Sequence, residues 1–292
     1  MKGFSASWCC AAVLLAAVAE AETIQWSCDP SSVNRESDGA PMGAGFQFEL
    51  GVFSPGFTPT MANRSQWLDH WHVAQTTNYE SGNGRFGSEF RVEGNASPFV
   101  VDAEAWILGR RNDATGSEWV IFRAASWVWP LADPLAPEPL EWNTADAGIV
   151  LAGEVNGSGS PFLMKSERIR DYGQWQASEL AGESLIATDQ DADFDGVANI
   201  VEFFCGTDPA DAASRPAVAW SFAGPGGPFL RVEYPADPGS LAVASVEASD
   251  DLSGWSASGV ALEWSAGMLV ATDSVAAGPG VRRFLRLRVE LP

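Results

Sequence analysis

Asp191, Asp193, Asp195, Gly196, Asn199 and Glu202 stand in the spacing DxDxDGxxNxxE. Oxygen-bearing side chains at positions 1, 3, 5, 9 and 12 of a twelve-residue loop, with glycine at position 6, suit a calcium ion. Such an ion takes six to eight hard oxygens, a bidentate carboxylate closes the loop, and the chain must turn sharply at its middle. The Val197 carbonyl falls at position 7, and Asn199 would act directly or through water. The expected Ca2+ ligands are therefore Asp191, Asp193, Asp195, Val197, Asn199 and Glu202. A merely solvated acidic turn is the rival reading, and six matching positions with the glycine in place favour the ion.

Other chemistry is thin. His70 and His72 are the only histidines and lie beside Asp69. On a helix, two positions mean a turn of about 200 degrees, so they would not face one metal, and no third zinc ligand is indicated. No GxSxG elbow or Walker-type loop occurs, so no nucleophile is marked and no catalytic residue is assigned. A serine triad stays open among many serines. Thirty-eight acidic residues make any chosen carboxylate pair for glycoside hydrolysis arbitrary without geometry.

Tryptophan is abundant, 13 in the chain. Trp127 and Trp129 are two apart, hence on one face of an extended segment, beside a proline-rich stretch from Pro130 to Pro139. They could form a stacking platform for sugar rings, or fill a β core; the second use is the commoner one for such large side chains.

The elements that would position these groups are mainly β. Phe46, Phe48, Leu50 and Val52 recur at period two, as do Trp106 and Leu108, then Val120 and Phe122 across a polar turn at Asn112 to Gly116. They read as half-buried antiparallel strands. A further hairpin is signalled where Gly148 to Val155 meets Asn156-Gly157-Ser158-Gly159 and returns through Phe162 to Lys165. One helix is expected to interrupt this region, capped by Asn63 with Gln66 three residues on, and with Trp67 and Trp71 one turn apart, plugging the core. Trp175, Leu180, Leu185 and Ile186 suggest a helix within 174–187, and a second should leave the calcium loop and end near Cys205, where Gly206 suits a left-handed cap and Pro209 forbids continuation. Six short strands follow, at 217–223, 229–234, 241–248, 259–264, 268–273 and 281–291, as in a small sandwich. In the last, Leu285, Leu287, Val289 and Leu291 share one face and Arg286, Arg288 and Glu290 the other.

The start of the chain reads as a processing signal: Lys2, an apolar run from Trp8 to Val18, then Ala19-Glu20-Ala21 with cleavage after Ala21. The run is short for a bilayer span, and Cys9 and Cys10 lie inside it, so secretion is expected without a transmembrane or lipid anchor. Removing Lys2 and Glu20 leaves the net charge at -21, which makes nucleic acid an unfavourable partner. Cys28 and Cys205 would remain, either paired or as free buried thiols; their spacing does not decide.

The run from Asp191 to Pro209, with its acidic loop, the pair Phe203-Phe204 and then Gly206-Thr207-Asp208-Pro209, resembles the calcium segments of thrombospondin type 3 and dockerin-like repeats of secreted bacterial proteins. The likeness covers roughly 20 residues. It implies calcium ligation by Asp191, Asp193, Asp195, Asn199 and Glu202, and a structural part for Asp208 in the turn. Dockerins duplicate the loop to bind cohesin, and type 3 repeats run in tandem; a single copy here does not imply cohesin binding. The stretches around Phe48 to Trp67, and from Val246 to Trp255 with Arg283 to Val289, resemble modules of secreted bacterial proteins without a known activity, which bears on fold alone.

The expectation is thus a mainly β chain of two antiparallel β-sandwich-like domains joined by a short helical EF-hand-like calcium-binding segment: a signal peptide over 1–21, an aromatic-rich β domain with one short helix over 22–168, the linker with the calcium loop over 169–214, and a small β-sandwich module over 215–292. Functionally it points to a secreted calcium-binding structural or adhesion-type protein without catalysis. The alternative is a carbohydrate-binding or carbohydrate-cleaving protein using exposed tryptophans. An extracellular polysaccharide or a cell-surface component would be its partner.

Overall fold

A computed structural model describes residues 22–114, 116–133, 138–155, 163–223 and 227–292. The expected signal segment over 1–21, the middle of the proline-rich stretch, and Asn156 to Gly159 with Phe162 lie outside the described residues. The strands are β1 (Thr23–Ser27), β2 (Val33–Arg35), β3 (Gln47–Phe53), β4 (Trp71–Asn78), β5 (Gly87–Arg91), β6 (Ala105–Asp113), β7 (Gly116–Arg123), β8 (Leu140–Asn143), β9 (Ile149–Ala152), β10 (Glu154–Val155), β11 (Leu163–Lys165) and β12 (Glu167–Ile169), followed by helices α1 (Tyr172–Glu179) and α2 (Asn199–Cys205). Then come β13 (Ala219–Ala223), β14 (Phe229–Pro235), β15 (Val243–Ser249), β16 (Val260–Ser265), β17 (Met268–Ala276) and β18 (Phe284–Glu290). The chain is mainly β, in several largely antiparallel sheets. No described helix is long and apolar enough to cross a membrane.

The largest sheet, in the order β12-β7-β6-β3-β4 with β9 added beside β7, is covered on both faces. Phe48, Leu50, Val52, Ile107, Val120 and Phe122 point one way, into a cluster with Ile24, Trp26 and Trp142 from the neighbouring three-stranded sheet β5-β1-β8 and with Phe86 just before β5. Phe53, Trp71, Trp106, Leu108, Trp119 and Ile121 point the other way and pack with Trp67 and Ile169. The expected half-buried strands are therefore corrected: from Phe48 onward β3 is buried on both faces. Glu49 on that strand stays satisfied because Trp71 Nε1 donates to Oε2 at 2.8 Å and Arg110 Nη2 to Oε1 at 2.7 Å.

The helix expected around Trp67 and Trp71 is also corrected. A 3-10 helix, Met61–Gln66, ends before Trp67, and Trp71 opens β4. Thr60 takes the capping position, its N–H donating to Asn63 Oδ1 at 2.7 Å. The following residues, HVAQTTN, suit a strand, and the register places Trp71 opposite Phe53, beside a bulge at Gly51 where a Cβ would lie 2.6 Å from the indole. Both tryptophans still plug one core cluster.

All six C-terminal strands form. Sheet β13-β14-β17-β16 and the pair β15-β18 enclose a cluster of Val232, Tyr234, Val246, Leu269 and Ala271, with Leu285, Leu287 and Val289 against it, while Leu291 stays exposed. Phe204 and Cys205 of α2 belong to this same cluster. Cys28 is buried in the first cluster, so the cysteines are two free thiols rather than a pair. Burial pushes the Cys205 thiol up to about 12.

The segment joining the two groups of strands touches both of them. Arg170 N–H donates to the Gly239 carbonyl at 2.8 Å, and Leu241 N–H returns to the Arg170 carbonyl at 3.2 Å. Leu241 packs on the tryptophan-rich cluster. The approach at Gly239 is close: a Cβ there would lie 2.3 Å from the Arg168 carbonyl oxygen.

Candidate metal centre

The loop before α2 is shaped by its own aspartates. Asp195 N–H donates to Asp193 Oδ1 at 3.0 Å and to Asp191 Oδ1 at 3.2 Å; Gly196 N–H donates to Asp191 Oδ2 at 2.8 Å, and Val197 N–H to Asp195 Oδ1 at 2.7 Å. Gly196 takes φ 95°, the left-handed turn that position 6 requires, and Phe194 shares that region at φ 64° with its ring 80 % exposed. The chain then enters α2, which Gly206 ends at φ 73° as its sequence position implies. The first helix is shorter than expected: α1 stops at Glu179, so Leu185 and Ile186 lie beyond it in irregular chain, where the Leu185 carbonyl is available to the loop.

Asp191 thus spends both oxygens on the backbone, and Asp193 and Asp195 one each. Buried oxygens without a hydrogen-bond partner include Asp193 Oδ2, Asp195 Oδ2, Asn199 Oδ1 and Glu202 Oε2, one each from positions 3, 5, 9 and 12. Asn199 is fully buried, and both of its amide hydrogens are used, toward the Leu185 carbonyl at 3.0 Å and the Ala187 carbonyl at 2.9 Å, which fixes its oxygen as the unmatched end. Glu202 is fully buried too; Thr207 Oγ1 donates to its Oε1 at 3.3 Å and Oε2 is left over. Ligand oxygens of Asp191, Asp193 and Asp195 all lie within 4.8 Å of one another.

The electrostatics are those of carboxylates crowded together and partly withdrawn from water. Burial, then the charge of Asp193 and further those of Asp195 and Asp191, push the Glu202 carboxyl up to about 7. Asp193 is also raised, by burial and by the charges of Asp195 and Asp191, against the lowering effect of the Asp195 N–H. Buried unpaired oxygens are rare in folded proteins because each loses its water without replacement. An all-oxygen donor set with the last carboxylate buried fits a hard divalent ion of calcium's size. On binding, the ion would supply positive charge and a fixed geometry.

Spacing alone does not point to the groups that position the candidate ligands: Thr207 beside Glu202 and the Leu185 and Ala187 carbonyls that orient Asn199. Thr207 stands in the Gly-Thr-Asp-Pro run and was a legible signal; the carbonyls carry none. Asp208 does serve the turn, its Oδ1 accepting from Ala210 N–H at 3.0 Å.

The other candidates separate. Trp127 and Trp129 do share a face, but that face is the core: they are 2 % and 1 % exposed, Trp127 stacks on Trp142 at 5.6 Å, and Trp129 meets Phe99 at 4.7 Å. The sugar platform drawn on these two rings is corrected accordingly. Trp129 borders a cleft of about 440 Å³ with Gln75, Glu89 and Phe99, without offering an open ring face to it. His72 on β4 has its Nε2 2.8 Å from Ser54 Oγ, just after β3, while His70 stacks on Phe57 at 4.0 Å. Among the described residues, no carboxylate hydrogen-bonds to His72, and the one group placed to hold a metal is the aspartate trio. No family model matches the chain, and no curated protein matches it either.

Proposed function

We propose that this is a secreted calcium-binding structural or adhesion-type protein, without catalysis, in which the ion held by Asp191, Asp193, Asp195, Val197, Asn199 and Glu202 stiffens the link between the N-terminal sheets and the C-terminal ones. The observation that carries the reading is the set of four buried oxygens without a hydrogen bond, at the loop positions where calcium ligands belong. The N-terminal side of the link is the Arg170 and Leu241 junction, and the C-terminal side runs through α2. Phe203 packs with Tyr172, Trp175 and Leu180, while its neighbour Phe204 enters the C-terminal core and its carbonyl accepts from Asp237 N–H at 2.8 Å. Glu202, the last ligand, directly precedes both, so fixing it fixes a residue pair shared between two clusters. Secretion rests on the sequence of residues 1–21, and an extracellular polysaccharide or cell-surface component is the partner class such a protein would meet.

The test is a thermal melt with calcium and with chelator. Calcium at ten times its dissociation constant should add about 1.4 kcal/mol, and Glu202→Gln should melt alike under both conditions. A wild-type curve unmoved by chelator refutes the reading.

A further inference from the structure

The same loop carries a cation of its own. Arg215 Nε lies 3.1 Å from Asp195 Oδ2, whose side chain is fully buried while that of Arg215 is 59 % exposed. The oxygen it reaches is one of the four left without a hydrogen bond, so the contact is an ion pair lacking hydrogen-bond alignment, made to the very atom a metal would need. Asp195's other oxygen is committed to Val197 N–H at 2.7 Å and cannot substitute without loosening the turn.

The chain is folded to deliver this side chain. After α2, Asp208 N–H donates to Ser214 Oγ at 2.9 Å, Ser214 N–H to the Asp211 carbonyl at 2.7 Å, and Ala213 N–H to Asp211 Oδ1 at 3.0 Å. These bonds turn residues 208–214 back on themselves, and Arg215 follows directly.

From this geometry, and resting on the calcium reading above, we infer that Arg215 is a tethered competitor for the calcium site: its guanidinium neutralises Asp195 in the metal-free loop and must leave Oδ2 when the ion binds. A guanidinium cannot shed its charge at working pH, so a divalent cation can displace it only by outcompeting it. The arrangement lowers calcium affinity and keeps the empty loop from repelling itself apart. Calcium loading would then release Arg215 to solvent just ahead of β13.

Calorimetric titration of the full chain with calcium chloride tests this, using wild type, Arg215→Gln, Arg215→Lys and Glu202→Gln. An exposed ion pair is worth up to about a fivefold change in an equilibrium; with the loss of a nearby positive charge added, Arg215→Gln should tighten calcium roughly three- to tenfold. Arg215→Lys keeps the charge and should stay near wild type. The gap between wild type and Arg215→Gln should narrow in 0.5 M salt, where exposed charges are screened; a merely structural role would leave it unchanged. Calcium affinity unchanged or weakened in Arg215→Gln, with wild type binding and Glu202→Gln not, overturns the competitor while leaving the calcium site standing. Calcium binding in none of the four proteins overturns both.

Discussion

Gly239→Ala probes the junction where Arg170 meets residues 239–241. The added Cβ would lie 2.3 Å from the Arg168 carbonyl oxygen, well inside van der Waals contact, and the obstacle is backbone, so one strand must move away. That movement strains two main-chain hydrogen bonds, Arg170 N–H to Gly239 at 2.8 Å and Leu241 N–H to Arg170 at 3.2 Å, each worth about 1 kcal/mol. Overpacking itself costs about 1 to 3 kcal/mol. A total loss of about 2 to 4 kcal/mol follows, which at about 2 to 4 °C per kcal/mol lowers the melting temperature by roughly 4 to 16 °C. Gly278→Ala is the control: a Cβ there meets nothing within 4 Å, and the change should stay within about 0.5 kcal/mol. Differential scanning calorimetry on both variants decides the matter. A Gly239→Ala protein as stable as the control would mean that this approach does not hold the two parts of the chain together.

Trp127→Ala should destabilise the fold by about 3 to 5 kcal/mol in urea denaturation, because a fully packed indole stacked on Trp142 is lost; a small loss with altered glycan binding would restore the platform reading. Asp273 is held by Arg283 in a two-pronged pair at 2.6 and 2.9 Å. Burial raises its carboxyl, but the Arg283 guanidinium and the Val275 and Ser274 N–H groups more than offset this and leave it below its ordinary value. A depressed carboxylate contributes stability that is present above its unfolded pKa of about 3.9 and is lost as pH falls through the lower folded value. Asp273→Asn should therefore flatten the stability loss below about pH 4, while losing about 2 to 4 kcal/mol at neutral pH; an unchanged acid limb in chemical denaturation contradicts this. Cys205, buried and raised to about 12, should resist a thiol reagent in the native protein and react only on unfolding, so rapid native labelling would contradict the packing around it.

The parts of this fold that were legible in the sequence are those whose physics is local. Gly196 at the turn and Gly206 at the helix end follow from backbone conformations that few other residues adopt, and the alternating C-terminal strands follow from a face that must be buried. What was not legible depended on contacts distant in sequence. Trp71 has helical spacing from Trp67, yet it starts a strand because Phe53, Gly51 and Glu49 receive it. Trp127 and Trp129 have the parity expected of a shared face, but parity does not tell core from solvent; Trp142, Phe90 and Phe99 do. Arg215 is 20 positions beyond Asp195 in a run of turn residues, and only the folded turn shows that it returns to the loop.

The central claim is most directly tested by counting calcium on the protein in a calorimetric titration at neutral pH. The account predicts one ion per chain, a dissociation constant within the roughly 0.1 to 1 mM range of extracellular loops, and loss of the binding heat in Glu202→Gln. Binding that survives Glu202→Gln unchanged, or no binding at 10 mM calcium, would contradict it.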